Sequence, residues 1–194
     1  AHNAGITKMN RAGRPLLDIN SIHHGLPPET AFTNVKDVAV DKNGLIHAID
    51  SRNWYSFDPS GRTLIWAEHL QGPISIEASK SGSFVYILSR DGIRQIDNLN
   101  HVNGNEIWFR NLETYSNATD ITVDNNDNIY VLYENGLIEK FDSSGNFISR
   151  FLVERNIYNP RASFLDAKNI AIGNDVVFIS TTDSTEVWDC GIVS

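Results

Sequence analysis

The sequence predicts an all-β chain, a β-propeller of four-stranded antiparallel blades. Three observations carry this: a unit of four short β-rich runs recurs along the chain, Asp-bearing turns fall at matched places in each unit, and helical periodicity is nearly absent. A two-sheet sandwich also strings short strands together, but it gives no reason for whole four-strand units to recur.

The units can be taken in order. Ile6 to Asn10, the Arg11-Ala12-Gly13 turn and Pro15 to Ile19 read as the last two strands of a unit, a partial blade over 5–19. The first complete blade, about 35–67, opens with a run ending at Asp41. It continues through the Lys42-Asn43-Gly44 turn to a second run and closes its third run on Phe57-Asp58, before Pro59-Ser60-Gly61 and a fourth strand. Blade 118–153 repeats this layout with Asp124, the turn Asn125-Asn126-Asp127, then Phe141-Asp142 and Ser143-Ser144-Gly145. The turns carry the Gly, Asn, Asp and Ser that supply positive φ or local side-chain hydrogen bonds.

A weaker copy spans 73–112, with the polar stretch Asn98 to Asn105 between its last two strands, and a partial blade over 168–194 closes the sequence. Third strands thus end at Asn10, Asp58, Asp97, Asp142 and Asp189, the spacing of roughly 40 to 50 residues expected of blades. One propeller domain over 1–194 is expected, either a ring of about four to five blades or a fragment of a larger ring.

Composition restricts the function classes. The 41% hydrophobic and 21% charged fractions are those of a folding globular chain. A net charge of −8 and a pI near 5.1 disfavour nucleic acid, whose partners carry basic faces. Apolar runs such as Asp175-Val-Val-Phe-Ile-Ser180 are too short for a membrane helix, so no membrane insertion is expected. Cys190 is the one cysteine, which excludes an internal disulfide and a Cys-rich zinc site. Asn117-Ala118-Thr119 fits a glycosylation sequon, a motif short enough to occur by chance. Localisation stays open, from an extracellular setting to part of a larger particle.

Asp41-Lys-Asn-Gly-Leu-Ile-His-Ala48 and Asp124-Asn-Asn-Asp-Asn-Ile-Tyr-Val131 resemble the Asp-rich turn before the second strand of NHL-repeat propellers. Phe57 to Gly61 and Phe141 to Gly145 resemble that family's turn between third and fourth strands. The resemblance covers residues from about 35 to 151. It implies the propeller fold and leaves function open, because such propellers host binding modules and enzymes alike. NHL propellers commonly close with six blades, whereas this chain holds three complete units and two partial ones. Exposed blade edges would then invite strand addition, which predicts a protein partner or self-association.

Candidate site residues are the repeated acids. Asp37 and Asp120 sit at matched places near the start of the inner strand and are the repeated polar pair placed to face the channel mouth, candidates for binding against a turn or loop role. Asp41 and Asp124, with Glu77 as an apparent third copy, recur at the end of the inner strand, where capping of turn N–H groups is the expected role. Asp124-Asn-Asn-Asp127-Asn128 lacks the downstream Glu of a calcium loop.

The six histidines, His2, His23, His24, His47, His69 and His101, avoid the inner strands and do not repeat, so no central metal is expected. No nucleophile, phosphate or dinucleotide motif appears, and no cofactor is expected. A non-enzymatic interaction module is therefore the expected function. What the resemblance implies as alternatives is a metal-dependent lactonase-like hydrolase or lyase using channel carboxylates, or single-stranded RNA binding.

Overall fold

A computed structural model describes residues 5–20, 31–97, 106–112, 117–152, 167–173, 176–181 and 190–191. It is all-β among those residues. Strands β1 (Gly5–Met9) and β2 (Pro15–Asn20) form a two-stranded hairpin. Three four-stranded blades follow, each laid out in sequence order. Blade I holds β3 (Asp37–Val40), β4 (Ile46–Ile49), β5 (Asn53–Phe57) and β6 (Leu64–His69). Blade II holds β7 (Pro73–Ala78), β8 (Phe84–Ser89), β9 (Gly92–Asp97) and β10 (Glu106–Asn111). Blade III holds β11 (Ala118–Val123), β12 (Ile129–Tyr133), β13 (Leu137–Phe141) and β14 (Phe147–Leu152). A last sheet contains β15 (Ala167–Gly173), β16 (Val176–Thr181) and the short β17 (Cys190–Gly191). All pairings are antiparallel.

The blades stack side by side with their first strands innermost: β3 packs on β7, β7 on β11, and β11 on β15. The arrangement is propeller-like, and among the described residues the ring is not closed. Each joint holds its own apolar core. Ile19, Ile46, Tyr55 and Phe57 fill the space between hairpin and blade I, and Ile49, Trp54, Ile76, Val85 and Ile87 fill that between I and II. Tyr86, Leu88, Ile121, Val131 and Phe141 join II to III, and Leu132, Ile138, Ala167, Ile170 and Ile179 join III to the last sheet. Middle strands are covered on both faces, so β4, β5 and β12 are buried at every position and show no alternation. That burial explains their run of aromatic and aliphatic residues.

The Asp turns form as the sequence suggests. Asp41 Oδ1 accepts the N–H groups of Asn43 and Leu45 at 2.9 and 2.8 Å, and Asp124 Oδ1 those of Asn126 and Asn128, both at 2.9 Å. Asn10, Asp58 and Asp142 do the same before the fourth strands. In blade II this turn position belongs to Ser79, whose Oγ accepts the N–H of Phe84 at 3.0 Å, and not to Glu77. The equivalence of Glu77 with Asp41 and Asp124 is thereby corrected: Glu77 pairs with Tyr86 inside the strand, two residues before the turn. A hydroxyl can cap a turn as a carboxylate does, so chemical likeness misled where hydrogen bonding decides.

Trp54 is buried, while Trp66 and Trp108 are partly buried against the joint cores. Trp188, Asp189, His2, His23, His24, His101 and the 98–105 stretch lie outside the described residues.

Candidate channel-mouth site

In every first strand one polar residue occupies the same register position. Asp37 lies opposite Ile49, Ser75 opposite Leu88, Asp120 opposite Leu132 and Asn169 opposite Ser180. In β7, β11 and β15 a register shift falls just before it, between Pro73 and Ser75, Ala118 and Asp120, and Ala167 and Asn169. Such bulges re-aim the residue that follows them. The four positions converge on one open cavity of about 210 Å³, lined also by Lys36, Glu77 and Thr119.

The two aspartates are spent across the joints. Asp37 accepts the N–H of Val38 (2.8 Å) and, in the next blade, that of Ile76 (2.9 Å). Asp120 accepts the N–H of Ile121 (2.9 Å) and, in the last sheet, that of Ile170 (2.8 Å). Between them stands the buried Ser75, whose Oγ is 2.7 Å from Asp37 Oδ2 and 2.6 Å from Asp120 Oδ1. Lys36 reaches past the carboxylates, its Nζ donating to the Pro73 carbonyl at 2.8 Å.

Crowding shows in the titration of the acids. Burial raises the Asp120 carboxyl above the ordinary aspartate value of 3.8; Ser75 and the N–H groups of Ile170 and Ile121 oppose this, and the Asp37 charge adds to it. Burial likewise raises Glu77, against the pull of Lys80 at 3.2 Å and with the push of Asp37 and Asp120.

The structure brings Asp37 and Asp120 together at this mouth, and holds Asp41 and Asp124 away from it, in the turns at the opposite ends of β3 and β11. Among the described residues no group of three or more His, Cys, Asp or Glu has the geometry to hold a metal ion. Asp127, read from sequence beside a calcium-like loop, sits at φ +59° where blade I has Gly44. Its carboxylate accepts the N–H groups of Lys80 (2.5 Å) and Ser81 (3.3 Å) of the neighbouring blade's turn. His47 is fully buried, stacked on Trp54, with neither ring nitrogen reaching a hydrogen-bond partner among the described residues; Asp41 Oδ2 is 3.8 Å away.

Sequence reasoning missed Ser75 and Asn169. A signal was present: Asp37-Val-Ala-Val40, Ser75-Ile-Glu-Ala78, Asp120-Ile-Thr-Val123 and Asn169-Ile-Ala-Ile172 share one polar-apolar frame in which the first residue changes type but not place.

No family model and no curated protein matches this chain. Among solved structures 1007 chains match, so the fold is too widely shared to select an activity. One is a computationally designed protein, Ika4, superposed with a TM-score of 0.59 over 82% of this chain and 92% of that chain at 15% identity. The likeness is one of fold alone. No helix among the described residues is long and apolar enough to cross a membrane.

Proposed function

We propose that this chain is a non-enzymatic protein-binding or structural interaction module, akin to NHL-repeat propellers, that presents blade edges and loops within an assembly. One observation carries the reading: the outermost strands of adjacent blades expose large apolar residues. Ile107 and Phe109 on β10, and Phe147, Ile148 and Leu152 on β14, are 40–58% exposed. The two strands belong to neighbouring blades joined by Arg110, which donates to the Gly145 carbonyl at 2.8 Å. Each strand ends its sheet among the described residues, so its outer backbone groups can take an added strand. Self-association is the simplest such use. Light scattering at several concentrations is expected to give a defined oligomer, reduced to monomer by the double change Ile148→Lys and Leu152→Lys. A concentration-independent monomer for both proteins would remove self-association through this edge.

A second reading, a metal-dependent hydrolase or lyase, draws on the convergence of Asp37, Asp120 and Glu77. It requires that calcium, magnesium or zinc raise the thermal midpoint and that Asp37→Asn and Asp120→Asn abolish the rise; a flat response removes it. RNA binding rests on the NHL resemblance alone, against an acidic balance, and a missing salt-dependent affinity for oligonucleotides would end it.

A further inference from the structure

The hydrogen-bond stoichiometry at Ser75 does not close with ionised carboxylates. Its oxygen lies 2.7 Å from Asp37 Oδ2 and 2.6 Å from Asp120 Oδ1. A serine hydroxyl carries one proton and so donates to one carboxylate only. Both separations are those of O–H···O hydrogen bonds, which need a proton on each line. Two bare anions facing one hydroxyl would leave one line as lone pair against lone pair in a partly buried site.

We infer that Asp37, Ser75 and Asp120 hold one extra proton in the folded chain and act as a proton-dependent latch across the joints between blades I, II and III. In this arrangement the Asp120 carboxyl donates to Ser75 Oγ, and Ser75 donates to the Asp37 carboxylate. The N–H bonds already described fix both acids in place, so neither can swing out to relieve a second charge.

The charged groups around the latch are few. From beside β3 comes Lys36, whose Nζ is taken up by the Pro73 carbonyl, and β7 supplies Glu77 with its partner Lys80. From β15 the mouth receives the uncharged Asn169. Burial and the Asp37 charge raise the Asp120 carboxyl and favour retention of the proton. A group raised on folding contributes stability that is fully present below its unfolded value and lost as pH rises through its folded value. The latch therefore holds in acid and loosens toward higher pH.

Carboxyl-carbon NMR titration of the full chain tests this, together with the thermal midpoint as a function of pH for the native protein, Ser75→Ala and Asp120→Asn. The expected result is an Asp120 carboxyl midpoint above 3.8 that changes in Ser75→Ala. In Asp120→Asn, whose amide donates to Ser75 without titrating, the fall of the thermal midpoint with rising pH flattens. An Asp120 midpoint at or below its ordinary value overturns the latch, as does an unchanged slope in Asp120→Asn. The native titration decides alone if either variant fails to fold.

Discussion

At the scale of single residues, the carboxylates of this chain act on backbone N–H groups before they act on anything else. Asp127 shows the trade most clearly. It accepts a left-handed φ of +59°, where blade I uses Gly44 at +82°, and in return binds two N–H groups of the preceding blade's turn. Both bonds lie at the surface, where water can take the place of a lost acceptor. Asp127→Ala keeps the unfavourable φ and loses the bonds, so urea unfolding is expected to show a loss of about 0.5–1.5 kcal/mol. Asp127→Gly also loses the bonds but relieves the backbone, and should lose less. Equal losses would mean that the conformation costs nothing there. Asp124 gives a second case. Burial alone would raise it, yet the side chain and N–H of Asn128, the N–H of Asn126 and the Tyr130 hydroxyl outweigh burial and hold it below the ordinary 3.8. A group lowered on folding contributes stability present above its unfolded value and lost as pH falls through the folded value. Asp124→Asn is therefore expected to weaken the fold at neutral pH and to flatten its acid limb in a thermal-midpoint series.

At the scale of elements, what the sequence revealed depended on whether the signal was residue identity or residue place. Turns before second and fourth strands announce themselves because only a few side chains can cap them, so the units around Asp41, Asp58, Asp124 and Asp142 were legible. The inner-strand frame was half legible. Asp37 and Asp120 could be matched by identity, whereas Ser75 and Asn169 hold the same place with different chemistry, and the bulge before them becomes visible only once strands are paired. Close approach between strands was not legible at all. Gly92 begins β9 directly against β10, and a Cβ built there would stand 2.0 Å from the Arg110 carbonyl oxygen. Backbone cannot yield as a flexible side chain can. Gly92→Ala is expected to cost about 1–3 kcal/mol or more by overpacking and to loosen β10, read as faster amide exchange along Trp108 to Asn111. Native-like exchange there would show that the β9–β10 hairpin gives way without penalty.

At the scale of the whole molecule, two families of acids pull stability in opposite directions with pH. The turn aspartates Asp58, Asp124 and Asp142 are held low by their hydrogen bonds, Asp58 and Asp124 against the opposing effect of burial, and they favour the fold above the acid range. Asp120 and Glu77 at the mouth are raised, chiefly by burial, and favour it at lower pH. A thermal-midpoint series is expected to pass through a maximum, with Asp120→Asn and Glu77→Gln each moving that maximum upward in pH. A maximum that stays fixed in both would assign the alkaline limb to other groups. The order of blades was legible from the repeat itself, because each blade recurs as a unit. The apolar patch on β10 and β14 was not, since exposed and buried apolar residues look alike until the neighbouring blade is in place.

The staples at the channel mouth also bear on how such a chain can change over generations. Asp37 and Asp120 each grip a main-chain N–H of the following sheet, at Ile76 and Ile170. Every residue but proline offers that group. The joint thus makes a demand on the sequence of the blade that carries the carboxylate and almost none on its successor. A blade can drift, be duplicated or be replaced by another of the same backbone path, and its predecessor will still find the atom it holds.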